Sequence, residues 1–333
     1  MKDKSIVKKI TGYKEVGVLV PLIVLIVFFS ITSDIFLTVN NFLNITRQIS
    51  IVSLLSIAMT FVIITGGIDL SVGSIIAFSG IITASAMKDY SLPIAVAVVI
   101  GIIIGGLTGL VNGILVAYIN MPAFITTMGT MTILRGLGYI YTQGYPIYDL
   151  PNSFKWIGQG YIGVIPTPAV ILVIVAVIAW IVLSKTVFGR HIYAIGGNSE
   201  AANLAGIKVK RIQLYVYVIS GFISGLAAVV QAARVGSGLP TIGTGFEMDA
   251  IASVVIGGAA MSGGSGGILG TILGSIILGV LDNGLSLLDV DSYVMSVISG
   301  VVVILAVLID QVRVIMKRNS QIKETKANLK TEK

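Results

Sequence analysis

The feature that most constrains the fold is a polar interruption between two long apolar stretches. Apolar residues 49–65 end at the segment 66–73, which contains three glycines, an aspartate and a serine, and apolar sequence resumes at Ile75. Backbone in a lipid environment must satisfy its own hydrogen bonds, so such a break is buried in protein or faces water. Asp69 or Ser71 can cap the helix that follows through a side-chain oxygen. The segment therefore predicts two membrane-spanning helices joined by a polar turn inside the protein.

The composition places the rest of the chain in a membrane as well. Of its 333 residues, 55% are hydrophobic and 11% are charged, whereas an ordinary soluble domain carries roughly 25% charged residues. A helical span needs about 20 apolar residues. We therefore predict an all-α polytopic membrane protein of about ten helices with broken or re-entrant segments. The predicted spans are 16–32, 49–65, 71–87, 93–119, 123–141, 167–184, 214–234, 248–263, 267–286 and 293–313.

The basic residues indicate how these spans are oriented. Most of the 22 Lys and Arg residues lie near the N-terminus, in the loop 185–213 and in the C-terminal tail. The positive-inside rule therefore predicts that both termini and this loop are cytoplasmic. The net charge of +7 follows from this topology and from contact with anionic lipid, so we expect no nucleic-acid partner. We divide the chain into a cytoplasmic segment 1–15, a transmembrane domain 16–315 and a cytoplasmic tail 316–333.

The sequence offers few groups for catalysis. It has no Cys, and its single His is His191, so thiolate and His-rich metal sites are excluded. No Lys follows a Gly, so the Gly-Lys-Ser/Thr pattern of a P-loop is absent. We therefore expect no catalytic residue, no cofactor and no metal site in this chain.

The basic loop 185–213 carries the signals of a short helix. Asn198 or Ser199 can cap a helix over residues 200–205, and Gly206 would end it. A glutamate in the first turn suits the helix dipole, and alanines give the helix a smooth face. Such a helix fits docking onto a soluble partner, and the alternative is an amphipathic helix that lies on the membrane.

Glycine forms two further patterns. Residues 62–74 resemble residues 254–265 in the order of their apolar, glycine and serine positions. This similarity is either a true internal repeat, as in many transporters, or a chance likeness between glycine-rich hairpins. Glycine also recurs every four residues over 101–113 and over 266–274. These stripes predict close helix packing, and a second interpretation is that they slide during gating.

Several ordered motifs resemble one known family. In the basic loop the pattern is Gly-Asn-x-Glu-Ala-Ala-x-x-x-Gly-Ile-x-Val over 197–209, and segment 66–74 is a second match. Further matches are Phe-Leu-Thr at 36–38, the segment 126–136 and Gly-Gly-Ala-x-x-x-Gly-Gly at 257–264. Together they extend from about residue 15 to 315. The chain therefore resembles the ribose-type permeases of ABC importers over almost its whole length.

The resemblance implies a bacterial importer for a monosaccharide such as ribose. Its parts would be two permease chains (identical or related), an ABC ATP-binding subunit that hydrolyses ATP, and an extracytoplasmic sugar-binding protein. This chain would be the multi-pass permease of the cytoplasmic (inner) membrane, which forms the pathway but is not an enzyme. In that family the basic loop contacts the ATP-binding subunit. The residues expected to couple to that subunit are Gly197, Asn198, Glu200, Ala201, Ala202, Gly206 and Ile207.

Charged residues near the membrane supply the other candidates. Asp69 is either a gate residue or a helix cap. Arg135 lies within a predicted span, where an arginine faces protein or water or snorkels to the interface. Arg234, Glu247 and Asp249 frame an outer loop and either dock the binding protein through complementary charge or mark the membrane interface. The candidate pathway and gate residues are Gly66, Gly67, Asp69, Ser71, Gly73 and Arg135.

Two other functional classes compete with the importer. A secondary transporter driven by an ion gradient also uses broken helices, but it favours acidic groups deep in its spans, and most acidic residues here lie near predicted span ends. An integral-membrane enzyme needs a cluster of catalytic groups, and the carboxylates here are scattered. The importer is therefore the leading prediction, and the ion-driven transporter is its alternative.

Overall fold

The computed structural model describes residues 16–305 together with 307 and 308. This part of the chain is helical almost throughout, with one small hairpin of two strands. The segments 1–15 and 316–333 lie outside the described residues. The elements in chain order are α1 Val16–Thr32, α2 Val39–Ile64, α3 Val72–Lys88, α4 Ile94–Ala117, α5 Ala123–Thr142, α6 Asn152–Gln159, β1 Tyr161–Ile162, β2 Ile165–Pro166, α7 Thr167–Lys185, α8 Val187–Gly197, α9 Ser199–Leu204, α10 Val209–Val235, α11 Phe246–Ile256, α12 Ile268–Leu287 and α13 Ser292–Leu305.

The apolar helices confirm a polytopic membrane protein. In the described part, five helices are long and apolar enough to cross a membrane, namely α2, α4, α7, α10 and α12. Three further apolar helices, α1, α3 and α13, are shorter. The largest differences from the predicted bounds are in the spans 49–65 and 248–263. Helix α2 begins ten residues before the predicted span 49–65, because Thr38 caps it by accepting a hydrogen bond from the Asn41 amide at 3.3 Å.

The predicted span 248–263 is not one continuous helix. Its helical part, α11, has 11 residues and ends at Ile256, and residues 257–267 form a glycine-rich loop. An α-helix of this length covers only about 16 Å, roughly half the hydrocarbon thickness of a bilayer. Helix α11 is therefore a half-length helix, which agrees with the prediction of broken segments.

Helix α2 lies at the centre of the bundle. Almost every side chain from Ile49 to Ile64 is buried, and the helix packs against α7, α10, α11 and α12. Two of its buried polar residues bond to its own backbone: Ser56 and Thr60 donate to carbonyls four residues earlier at 2.8 and 2.7 Å. The C-terminal end of this central helix is thus held in a fixed place.

The glycine stripes pack helices at backbone distance, as predicted. A Cβ atom on Gly105 of α4 would lie 2.7 Å from the Gly225 Cα of α10, and one on Gly109 would lie 3.1 Å from the Gly221 Cα. In α12, a Cβ atom on Gly270 would overlap the carbonyl oxygen of Gly257. Helices α4 and α10, and the end of α11 and α12, therefore approach too closely for any side chain at these positions.

The chain between α10 and α11 runs back into the bundle along α3. Gly238 lies against Gly80 and Ala84 near the end of α3, whereas Gly243 lies against Gly73 near its start. These contacts are seven to eleven residues apart on α3, which corresponds to about 11–16 Å at 1.5 Å per residue. Segment 237–245 is therefore a re-entrant segment, and α11 begins inside the bundle.

Candidate functional site

The first break has a glycine-dependent helix end. After α2 ends at Ile64, the Gly66 amide donates to the Ile63 carbonyl at 2.9 Å and the Gly67 amide donates to the Val62 carbonyl at 3.1 Å. Gly66 has φ +81°, in the left-handed region that favours glycine. This pair of bonds is the Schellman motif, which satisfies the last carbonyls of a helix and turns the chain sharply.

The break then places a buried carboxylate among hydroxyl groups. Asp69 has no exposed surface. Its Oδ1 accepts hydrogen bonds from the Ser71 amide at 3.0 Å and the Ser71 hydroxyl at 2.6 Å, and its Oδ2 accepts one from the Ser220 hydroxyl of α10 at 2.9 Å. Both carboxyl oxygens therefore have partners inside the protein, as a buried polar group requires. Asp69 therefore fixes the turn to α10.

The network continues to two other helices. The Asn112 amide of α4 donates to the Ser71 hydroxyl at 2.9 Å, and the Thr130 hydroxyl of α5 donates to the Asn112 Oδ1 atom at 2.6 Å. We call Asp69, Ser71, Asn112, Thr130 and Ser220 the Asp69 network. It joins the first break to α4, α5 and α10, and its members are buried or nearly so.

Only one of the two candidate caps bonds to the start of α3. Ser71 makes no side-chain capping bond, because its hydroxyl bonds to Asp69 and Asn112 instead. Asp69 accepts from the Ser71 amide two residues further on, which is the bond that a capping side chain makes. The capping interpretation therefore holds for Asp69 and is wrong for Ser71. Gly67 also has a packing role, since a Cβ atom there would lie 2.7 Å from the Tyr217 hydroxyl.

Arg135 does not snorkel but binds the re-entrant segment. Its guanidinium donates to the carbonyl oxygens of Pro240 at 3.0 Å and Ile242 at 2.5 Å, and more weakly to that of Gly73 at 3.5 Å. Carbonyls outside a helix need such donors when they are buried in a membrane protein. Arg135 thus holds segment 237–245 against α3 and α5.

The predicted docking residues are not gathered on one surface. Glu247 is 8% exposed, and a Cβ atom on Gly73 would overlap its Oε2 atom. Asp249 is in the same half-length helix and lines a small cleft with Gln48 and Asp282. Of the three, only Arg234 lies beside α6, at the end of the bundle opposite the first break. There its carbonyl accepts a hydrogen bond from the Gln159 side chain at 2.9 Å.

The second break repeats the helix end of the first. After α11, the Gly258 amide donates to the Val255 carbonyl at 2.9 Å and the Ala259 amide donates to the Val254 carbonyl at 3.1 Å. Gly258 has φ +88°, close to that of the equivalent glycine in the first break. The likeness of residues 62–74 and 254–265 in sequence therefore extends to the way in which the two helices end.

The two breaks meet at one end of the bundle. The Gly264 amide of the second break donates to the Ile64 carbonyl of α2 at 2.9 Å. The end of α8 lies at the same point, because a Cβ atom on Gly196 would overlap both of these backbone groups. The Tyr193 hydroxyl of α8 also donates to the Gly266 carbonyl at 2.8 Å. Sequence analysis did not identify Tyr193 or Gly196, since only the folded chain brings them to the breaks.

The short helix of the basic loop forms at this end. The Asn198 side chain accepts from the Ala201 amide at 2.9 Å and caps α9, and Gly206 follows the helix with φ +85°. These features confirm the predicted helix, which begins and ends one residue earlier than expected.

The exposed surface around α9 includes two of the three alanines of the predicted helix. Ala201 and Ala205 are exposed, whereas Ala202 is 5% exposed and packs inward. Leu204 is 89% exposed, and Glu200 is exposed beside it. An isolated leucine with so much exposed surface is unfavourable in water. Leu204 is thus an additional candidate contact, and the helical spacing of 200 and 204 places it on the Glu200 face.

Comparison with known proteins identifies the family. Residues 41–307 match the family described as the branched-chain amino acid transport system / permease component. The ribose import permease protein RbsC of Haemophilus influenzae is 44% identical over 87% of this chain and 91% of its own length. The Bacillus subtilis protein of the same name is 44% identical over 90% and 93%. The D-allose transport system permease protein AlsC of Escherichia coli is 40% identical over 87% and 89%. No solved structure matches the chain.

These matches agree with the motifs found in the sequence. The family match at residues 41–307 lies within the predicted transmembrane domain 16–315, and all three relatives are transport permeases by name. They confirm the resemblance to ribose-type permeases and give no support to an ion-driven transporter. The chain belongs to the family of branched-chain amino acid transport system permease components, and within it to the ribose-type permeases.

Proposed function

We propose that the chain is the membrane-spanning permease of an ATP-driven importer for a monosaccharide such as ribose. The observation that carries this proposal is 44% identity to ribose import permeases over nearly the whole chain. The broken, buried helices support it, because transporters place irregular backbone where it lines or supports a pathway. ATP is hydrolysed by a separate subunit, and the permease acts as a pair with an identical or related chain in the bacterial inner membrane.

The proposed orientation follows from charge. About ten spans with cytoplasmic termini place the basic loop, α9 and both breaks on the cytoplasmic side. The connection between α5 and α7, which contains α6, then faces outward together with Arg234. We retain Arg234 as a contact for the sugar-binding protein. Glu247 and Asp249 are left out of this contact, because they belong to a half-length helix inside the bundle.

Helix α9 is the proposed contact with the ATP-binding subunit. Its exposed face combines the carboxylate of Glu200 with the apolar Leu204. An apolar anchor beside a charge that orients the partner is a common interface arrangement. The shape of α9 and of the turns at its ends depends on Gly197, Asn198, Ala201, Gly206 and Ile207. Ala202 packs the helix against the bundle.

The pathway residues are proposed to act by position. The Asp69 network holds the cytoplasmic turn of the first break, and Arg135 holds the re-entrant segment from α5. Because both sets of bonds involve α5, a movement of α5 would change them together. The buried network is not accessible to sugar, so we place selectivity elsewhere along the pathway or in the binding protein.

The proposal is tested by purifying the tagged chain from its native membranes in mild detergent. We expect an ATP-binding subunit to co-purify, and Glu200→Lys and Leu204→Asp to lose most of it. The control is Asp34→Lys, the same charge reversal at an exposed carboxylate in the α1–α2 connection. ATP-independent sugar uptake by the chain alone in liposomes under an ion gradient would overturn the proposal.

A further inference from the structure

We propose that α8 carries movements of α9 to both breaks through a glycine joint, and that Tyr193 is the positioning residue of this joint. The glycine joint consists of Gly66, Gly196, Gly263 and Gly264 around the Ile64 carbonyl. This inference rests on the proposed function, because it assigns a path between the ATP-binding subunit and the pathway.

Backbone contact leaves the joint no room for side chains. The Gly264 amide bonds to the Ile64 carbonyl at 2.9 Å, and a Cβ atom on Gly196 would overlap both groups. A Cβ atom on Gly263 would lie 2.9 Å from the Gly66 amide nitrogen and 3.0 Å from the Gly196 carbonyl oxygen. Three separate chain segments therefore touch through main-chain atoms, which cannot shift by rotating a side chain.

Helices α8 and α9 are connected so that they move together. Only Asn198, in an extended conformation, separates them. Ile192 and Ile195 of α8 and Ala202 of α9 are buried in one apolar cluster, which also contains Phe61 of α2. Close-packed side chains of this kind transmit displacement rather than absorb it. A pull on α9 therefore reaches the end of α2.

Tyr193 links the same helix to the second break. Its hydroxyl donates to the Gly266 carbonyl at 2.8 Å, two residues beyond the amide that bonds to α2. This is a side-chain hydrogen bond that α8 makes to the loop 257–267, and phenylalanine can remove it without changing the packing of the ring. With this bond in place, α8 and the second break move as a unit. Without it, the joint keeps only its main-chain contacts.

The test compares Tyr193→Phe and Gly196→Ala with two matched controls. Tyr215→Phe removes a hydroxyl from an exposed tyrosine on α10. Gly267→Ala adds a Cβ atom that meets nothing within 4 Å, next to the glycine that Tyr193 contacts. Each complex is purified from native membranes and placed in liposomes. Ribose uptake, ATP hydrolysis and the amount of bound ATP-binding subunit are measured.

We expect both joint variants to retain the ATP-binding subunit and its hydrolysis while uptake falls. For Tyr193→Phe, the loss of one hydrogen bond corresponds to about a fivefold fall in uptake, so more ATP is consumed per sugar. Both controls should behave as the wild type. Wild-type uptake by Tyr193→Phe would overturn the inference. A parallel loss of subunit, hydrolysis and uptake would also overturn it, since that pattern indicates a docking or folding role.

The same experiment tests the proposed function separately from the joint. If the wild-type complex contains no ATP-binding subunit, or imports without ATP, the function is wrong whatever the variants do. If the wild type imports with ATP and the joint variants import equally well, the proposed role of the joint is wrong and the proposed function stands. If Gly196→Ala fails to fold, Tyr193→Phe still decides, because its change is confined to one hydroxyl.

Discussion

The two breaks begin alike but are held in different ways. Both follow a Schellman helix end with a glycine at positive φ, at Gly66 and at Gly258. After the first, the Asp69 network joins the break to α4, α5 and α10 through side-chain hydrogen bonds. After the second, main-chain bonds and close packing fix most of the loop, for example between the Gly263 amide and the Ala260 carbonyl at 2.9 Å, and the Tyr193 hydroxyl adds one side-chain bond. The first break therefore depends mainly on chemical identity and the second mainly on side-chain size.

The strongest test of this contrast is Asp69→Ala. It leaves the Ser71 amide and hydroxyl and the Ser220 hydroxyl buried without their acceptor. Unsatisfied buried groups cost about 1–3 kcal/mol each, so we expect the unfolding free energy to fall by about 3–5 kcal/mol. The unfolding free energy is measured by denaturing the purified chain in mixed micelles. Asp34→Ala, at an exposed carboxylate, is the control, and equal small losses for both would contradict the network's role.

The matching test of the second break is Gly257→Ala. The new Cβ atom would lie 2.6 Å from the Thr271 amide nitrogen and overlap the Gly270 backbone of α12. Overpacking of this kind costs about 1–3 kcal/mol. Gly257 has φ −66°, so alanine introduces no backbone strain there and the effect isolates size. Gly267→Ala should leave the unfolding free energy unchanged in the same assay. An equal loss of stability at both positions would contradict the role of side-chain size at the second break.

The smallest expected effect tests whether the Asp69 network at the first break extends to α5. Thr130→Val keeps the shape of the side chain but removes its 2.6 Å bond to the Asn112 Oδ1 atom. We expect a loss of about 1 kcal/mol in unfolding free energy. Thr132→Val is the matched control, because that hydroxyl bonds only to the Met128 carbonyl of its own helix. If the two variants are equally stable, the network ends at Asn112 and does not include α5.

Local signals in the sequence predicted the elements well. Apolar length located the helices, the Asn198 and Gly206 signals located α9, and the glycine spacing located the close helix pairs. These features depend on neighbouring residues or on one helical face, so a single chain displays them. The weak likeness of the two breaks was also visible, although the sequence left it open whether that likeness was a repeat.

Long-range contacts decided what the sequence left open. Asp69 and Ser220 are 151 positions apart, and Arg135 and Ile242 are 107 apart, so neither the capping nor the snorkelling alternative could be judged from local spacing. The burial of Glu247 likewise follows from the re-entrant path of segment 237–245. The sequence by itself determined a broken-helix membrane protein with a short capped helix in its basic loop. Tertiary structure decided which groups meet, because hydrogen bonds and backbone contacts form wherever packing brings atoms together, regardless of their distance along the chain.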